Sequence, residues 1–316
     1  MWANLETALQ LDQVEIAPGA TNISLVRMLK NTTDQEVHMI LSWNFTNTGW
    51  RMEPASSSIT MKPGAELEYR CEGGGVLAKL LPLPGLEVTL QVGAFPPRVY
   101  MGGLTARVRR QAAVAFLPQS PRVDGVIEAS EYDGAESQGL FYEMHGRGTA
   151  SVQTVFRTAY DRETLYIAVS VQEPLPGSII ANATNHDGQV YMDDSVELFV
   201  DPAAMSSDYF QFIVNMKGVM FEAFGSSRTA RFGDPSWNGE WRAAVKPAPG
   251  GYAVEVAIPF KTMGVAAPVQ GATWGLNVAR TRTVQAKDMA SRELSAWSPT
   301  YTGFHRPTHF GRILFR

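Results

Sequence analysis

Short runs in which apolar and polar residues alternate, each closed by a glycine or a proline, recur along nearly the whole of this 316-residue chain. A period of two places successive side chains on opposite faces of a strand, and turn residues at that spacing predict an all-β architecture. In the first third, Val37-His-Met-Ile-Leu-Ser-Trp43 and Leu86-Glu-Val-Thr-Leu-Gln-Val92 are such runs. Ala17-Pro-Gly19, Lys62-Pro-Gly64 and Leu81-Pro-Leu-Pro-Gly85 supply the turns. Further on, Gln153–Tyr160 and Thr164–Val171 flank Asp161-Arg-Glu163, which reads as a hairpin. Ser195–Val200, Tyr209–Asn215, Gly218–Ala223, Trp241–Val245, Gly251–Ile258 and Trp274–Arg280 continue the pattern, with one helical turn at Pro259–Met263. These runs predict a larger antiparallel sandwich whose strands alternate core and surface residues.

A chain of this length exceeds what one hydrophobic core serves, so two domains are expected. The join falls in Leu104–Ser120, where Arg107, Arg109 and Arg110 precede an Ala-rich run and then Pro118 and Pro121, giving domains 1–110 and 111–316. The 27 Lys and Arg residues against 31 Asp and Glu give a net charge of −4, and no run of like charges occurs. That argues against nucleic acid or an anionic membrane surface as partner. No apolar stretch reaches the ~18 residues a spanning helix needs. The single Cys71 excludes a disulfide framework and a cysteine-based zinc cluster. The first residues carry neither a basic segment nor an apolar one, so an exported protein would have its signal sequence outside this chain. The five histidines lack metal-binding spacing, and neither a Gly-x-Ser-x-Gly elbow nor a phosphate-binding loop occurs, so the reading is binding rather than catalysis.

Two resemblances sharpen this. In the first domain an early strand, Trp50-Arg-Met-Glu-Pro54 and Ile59-Thr-Met-Lys-Pro-Gly64 resemble, in that order, the immunoglobulin-like modules that accompany bacterial carbohydrate-active proteins. In the second, Val123-Asp-Gly-Val-Ile-Glu128, Tyr160–Val169, Asp193-Asp-Ser-Val-Glu-Leu-Phe-Val-Asp201, Phe210–Asn215, Gly250–Phe260 and Pro307-Thr-His-Phe-Gly311 follow one another as in family 9 carbohydrate-binding modules. That resemblance covers Ala113 to Arg316. It implies a non-catalytic accessory region of a secreted or cell-surface protein, binding an oligosaccharide or polysaccharide and attached to an upstream catalytic domain. Two sandwiches that merely space such a domain are the alternative.

In that family one sugar ring lies between two aromatic side chains. Carbon–hydrogen faces of a pyranose are buried by rings above and below, while charged or amide groups receive its hydroxyls. Carried over by position, the aromatics fall at Tyr191 and Phe304 and the acidic partner at Glu197, expected to face away from the core, a solvated strand carboxylate being the alternative to a binding role. Where the family has tryptophans, this chain has Tyr and Phe. Ile213 replaces an Arg and Tyr301 an Asn, leaving His305 or Arg306 as substitutes. Trp43, Trp50, Trp241, Trp274 and Trp297 are expected in cores, and Trp237, in a turn-rich loop, is freer to be exposed. The resemblance also implies a structural calcium ion, with Asp124 and Asp194 as ligands among loop oxygens that include Glu128, Asp187 and Asp193.

Overall fold

The structure, a computed structural model, describes residues 14–16, 22–46, 48–75, 83–103, 106–108, 110–145, 148–227, 231–283 and 292–316. It consists of two compact units, Met1–Val108 and Arg109–Arg316. Leu104, Thr105 and Arg109 of the expected join lie outside the described residues, as do the Ala17–Gly19 turn and part of Leu81–Gly85.

The smaller unit contains β1 (Val14–Ile16), β2 (Asn22–Lys30), β3 (Val37–Asn44), β4 (Trp50–Glu53), β5 (Ser56–Met61), β6 (Glu66–Gly75), β7 (Gly85–Val92), β8 (Arg98–Gly103) and β9 (Ala106–Val108). Strands β2-β6-β4 form one sheet, β5-β3-β7-β8 a second, and β1 pairs with β9. Alternation decides what goes inside: along β3, Val37, Met39, Leu41 and Trp43 are buried while Ile40 faces out. They meet Ile23, Leu25, Trp50, Met52, Tyr69, Leu86, Val88 and Leu90 from both sheets in one core. The buried Trp43 indole donates to the Tyr69 hydroxyl at 2.9 Å, so its polar edge is paired. In the Lys62-Pro63-Gly64 turn, Gly64 takes φ +72°, which a residue with a Cβ adopts only under strain.

The larger unit contains β10 (Gln111–Phe116), β11 (Tyr142–Glu143), β12 (Thr154–Tyr160), β13 (Thr164–Gln172), β14 (Ser195–Asp201), β15 (Asp208–Asn215) and β16 (Met220–Ser226). There follow β17 (Arg231–Asp234), β18 (Arg242–Ala248), β19 (Gly251–Pro259), β20 (Thr273–Thr283), β21 (Arg292–Ala296) and β22 (Gly311–Phe315). One layer runs β17-β16-β15-β14-β20-β22, with β21 pairing β20 and β11; the other runs β12-β13-β19-β18. The β12–β13 hairpin forms where the sequence places it, and Asp161 closes its turn by accepting the Glu163 and Thr164 amides.

Two features depart from the sequence reading. The unit is not wholly antiparallel: β10 lies parallel to β22 through Gln111–Val114 and parallel to β12 through Ala115–Phe116, joining the layers. Nor do its central strands alternate between core and solvent. Val196, Leu198, Phe212, Leu276 and Val278 face Leu165, Ile167, Val254, Val256 and Trp297 between the layers. The opposite face of the same strands is covered too, by Phe199, Tyr209, Ala279, Phe304 and Phe310 and by Val190, Ile213, Phe221 and Ala223. Every residue of β14 is therefore buried.

Charge enters this interior as well. Glu173, just past β13, accepts from Arg280 Nη2 at 2.9 Å, Arg282 Nε at 2.7 Å and Arg282 Nη2 at 3.0 Å, all three side chains being almost wholly buried. Arg282, foremost through its hydrogen bond, helps hold the Glu173 carboxyl below its usual range against the opposing effect of burial. Glu173→Gln should cost about 3–5 kcal/mol of folding free energy, because it removes the buried carboxylate that two buried guanidinium groups share, only Arg282 keeping a second carboxylate, Glu293, at 3.7 Å. Urea unfolding of wild type and variant at neutral pH measures the loss. The gap should narrow as pH falls below the usual carboxylate range, where wild-type Glu173 itself takes up a proton.

Candidate functional site

The covered outer face of β14, β15, β16 and β20 is interrupted by a concave pocket of about 910 Å³. Its floor takes one residue or two from each strand: Glu197, Gln211, Phe221 with Ala223, and Thr281. These share a face because Glu197 pairs with Ile213 and Ala279, so side chains two residues along the neighbouring strands project the same way. Tyr191 and Met192, from the short 3-10 turn Val190–Met192, form one wall; Phe304 and His305 form another; Arg292 and Leu294 of β21 a third. Distant stretches of sequence thus meet around one cavity, Tyr191 and Phe304 among them.

The two aromatics differ in kind. Tyr191 is 45% exposed, its ring set edge-on to Phe221 at 5.9 Å. Phe304 is only 7% exposed and packs against Phe199 at 6.2 Å, so it is a wall of the pocket anchored in the core beneath. The packed Tyr209 ring belongs to the same cluster: it lies over Gly225, where an added Cβ would stand 2.1 Å from it, and only glycine fits. The Tyr209 hydroxyl lies 2.8 Å from Nδ1 of His305, and burial pulls the His305 pKa down to about 4, so this imidazole is neutral at pH 7. Arg292 donates to the Met192 carbonyl oxygen, tying β21 to the segment that carries Tyr191.

Glu197 corrects the sequence reading in one respect. It does face away from the inter-layer core, yet it is buried rather than solvated, at 4% exposure. Gln211 Nε2 donates to one of its oxygens at 3.0 Å and Thr281 Oγ1 to the other at 3.3 Å. Burial nevertheless dominates and pushes its pKa up to about 7.

The remaining expected site residues are not gathered here. Tyr301 and Arg306 are absent from the pocket lining. Tyr301 sits at φ +68° with its ring 5.8 Å from that of His309, and the Arg306 guanidinium donates outward to Thr302. Ile213, expected in place of a sugar-contacting arginine, is fully buried with Val190 and Phe221. Trp237 is half-buried against Phe210 at 4.9 Å and Phe212 at 5.9 Å, so it packs on the core instead of standing free. Trp43, Trp50, Trp241, Trp274 and Trp297 are buried.

Asp124 and Asp194 do not converge on one ion. Asp124 packs by β19, where it caps the Val126 amide and its own amide reaches Glu255. Asp194 lies by the opposite layer, and its two oxygens accept the Ile180 and Thr283 amides. Carboxylates occupied in closing loops do not make the oxygen cage that calcium takes, so the ion does not fit this pair. Sequence reasoning missed Gln211, Thr281 and Arg292. The first two carry a signal, since in the strand register they flank Glu197; the third has none before β21 is placed.

Glu197 gives a test of this geometry. Its proton is kept to about pH 7 when folded but leaves near 4.5 when unfolded. The raised pKa means that stability is fully present below 4.5 and falls as pH rises to about 7. The loss amounts to about 3 kcal/mol for a shift of this size. Glu197→Gln removes the titration, so thermal melts from pH 4.5 to 8 should show the variant overtaking wild type as pH rises. Parallel curves would place Glu197 in water.

With the geometry in hand, comparison with known proteins is informative. The family described as carbohydrate family 9 binding domain-like matches residues 123–316. Endo-1,4-beta-xylanase A of Thermotoga neapolitana is 29% identical over 164 residues, 50% of this chain and 13% of that protein. Endo-1,4-beta-xylanase A of Thermotoga maritima is 29% identical over 201 residues, 61% of this chain and 17% of that protein. The chain therefore spans less than a fifth of the length of these relatives. A solved structure from Bacteroides uniformis, provisionally described as carbohydrate-binding, shares the fold at TM-score 0.52 and 22% identity, covering 66% of this chain and 99% of its own. A family match over well over half of the residues, on a sandwich of this topology, places the chain in the carbohydrate family 9 binding domain-like family.

Proposed function

We propose that the larger unit binds the end of a glycan chain in the pocket between Tyr191 and Phe304, with Glu197, Gln211 and Thr281 receiving sugar hydroxyls from below. The observation that carries this is the meeting of Tyr191, Glu197 and Phe304 on a single cavity, although they come from separate parts of the sequence. The exposed Tyr191 ring offers an apolar face for the carbon–hydrogen surface of a pyranose. The floor offers an acceptor already oriented by two donors. A volume of about 910 Å³ suits a ligand the size of a short oligosaccharide.

On this reading the chain acts by binding and not by catalysis, as an exported accessory region of a longer carbohydrate-active protein. The partial match to two xylanases supports a polysaccharide as ligand and a catalytic domain as neighbour. The smaller unit, read as immunoglobulin-like, is then an adjoining module.

A glycan array followed by calorimetry on the best ligand tests the proposal. Tyr191→Ala should weaken binding by about 1–3 kcal/mol, the value of a lost stacking face, with no change in melting temperature. Phe304→Ala should behave differently, losing about 3–5 kcal/mol of fold stability because a buried ring leaves a cavity. Retained glycan affinity in Tyr191→Ala would remove the platform. Failure to bind any glycan would make the two units spacers.

A further inference from the structure

At the rim of the pocket, which Asp187 itself lines, three metal-ligating side chains converge: His186, Asp187 and Glu222. His186 Nε2 lies 3.1 Å from Glu222 Oε1 and 3.5 Å from Asp187 Oδ1, and one ligand atom from each of the three falls within 4.8 Å of the others. Among the described residues this is the one such trio of histidine, cysteine or carboxylate groups. We propose that His186, Asp187 and Glu222 bind a divalent transition-metal ion of the zinc type.

The spacing fits such an ion. A tetrahedral zinc with nitrogen and oxygen ligands at about 2.0–2.1 Å holds neighbouring ligand atoms about 3.3 Å apart. The two separations bracket that value. The donor set points the same way, since one imidazole with two carboxylates suits zinc and its neighbours, whereas calcium wants oxygen alone.

Glu222 gives the argument its weight. It projects from the core-facing side of β16, is 1% exposed, and places Oε2 2.8 Å from the Trp241 indole nitrogen, which donates to it. That hydrogen bond fixes the carboxylate and turns Oε1 toward His186, as outer partners orient metal ligands. Oε1 also receives the Gly239 amide at 3.4 Å, and a cation beside it would neutralise a carboxylate that burial keeps from water. His186 and Asp187 are exposed, so an ion reaches the position from solvent and water completes its shell. Asp187 stands at φ +60°, and its amide donates to the Met220 carbonyl at 3.1 Å, which sets the loop against the first residue of β16. A bound ion would clamp the segment that leads into Tyr191 to the same strand.

A plain His186–Glu222 ion pair is the competing account, and zinc distinguishes them. After chelation and dialysis, the full chain titrated with ZnCl2 should take up one ion. At a hundredfold excess over the dissociation constant, the melting transition of the larger unit should rise by about 5–10 °C. CaCl2 at the same concentration should leave it unmoved. Asp187→Asn, which leaves the His186–Glu222 contact in place, and His186→Ala, its folding checked by its melt without metal, should each weaken zinc binding by about tenfold or more. A wild-type transition indifferent to ZnCl2 would leave only the ion pair, and zinc binding undiminished in His186→Ala would place the ion elsewhere. Either result overturns the proposal, whatever the outcome of the glycan experiments.

Discussion

Strand β10 divides its hydrogen bonds between the two layers of the larger unit, and the rest of that unit depends on the division. Gln111–Val114 run beside β22, the last strand of the chain, and Ala115–Phe116 run beside β12. Parallel neighbours cannot be made by a local hairpin, so this closure brings together residues from the two ends of the unit. Side chains reinforce it: the Tyr160 hydroxyl donates to the Arg316 carbonyl, and the Tyr160 and Phe315 rings meet edge-on at 5.0 Å. With the layers joined along one edge they cannot slide, and the inter-layer core packs in a single register.

That fixed layer pair frees the outer face of β14, β15 and β20 for another use. A sheet with one solvated face would carry unpaired polar side chains there; this face is roofed by loops, so polar groups on it must find partners. Glu197 takes Gln211 and Thr281, and Asp193 takes the Asn182 and Ala183 amides with the Asn215 side chain. Among the described residues the roof opens over the pocket. There the polar groups stay oriented by one another and line the cavity. A floor of this kind needs little rearrangement to receive hydroxyl groups, which is the physical advantage of building it on strands rather than loops. The cost is the displaced ionisation of Glu197.

How much of the site was legible follows the same logic. Tyr191, Glu197 and Phe304 come to one cavity because their flanking motifs fix them against strands and the strand register carries them together. Tyr301 and Arg306 lie outside the cavity lining; the left-handed backbone at Tyr301 is a turn that sequence spacing does not report. Asp124 and Asp194 looked like metal ligands because loop carboxylates often are; each instead satisfies backbone amides, a role invisible until the amides are placed. Burial of Phe304 is similar, since it depends on Phe199 and Phe310, which only folding brings beneath it.

By itself the sequence determined the strands, the hairpin at Asp161–Glu163 and the inward set of apolar residues, because alternation and turn chemistry act between near neighbours. The order of motifs from Val123 onward also carried the family. Tertiary structure decided the parallel seating of β10, the roofing of the outer face, the depth of Glu197 and the convergence of His186 and Asp187 on Glu222. Each of these depends on which distant strand lies alongside, a choice made by the burial of whole faces rather than by any local preference.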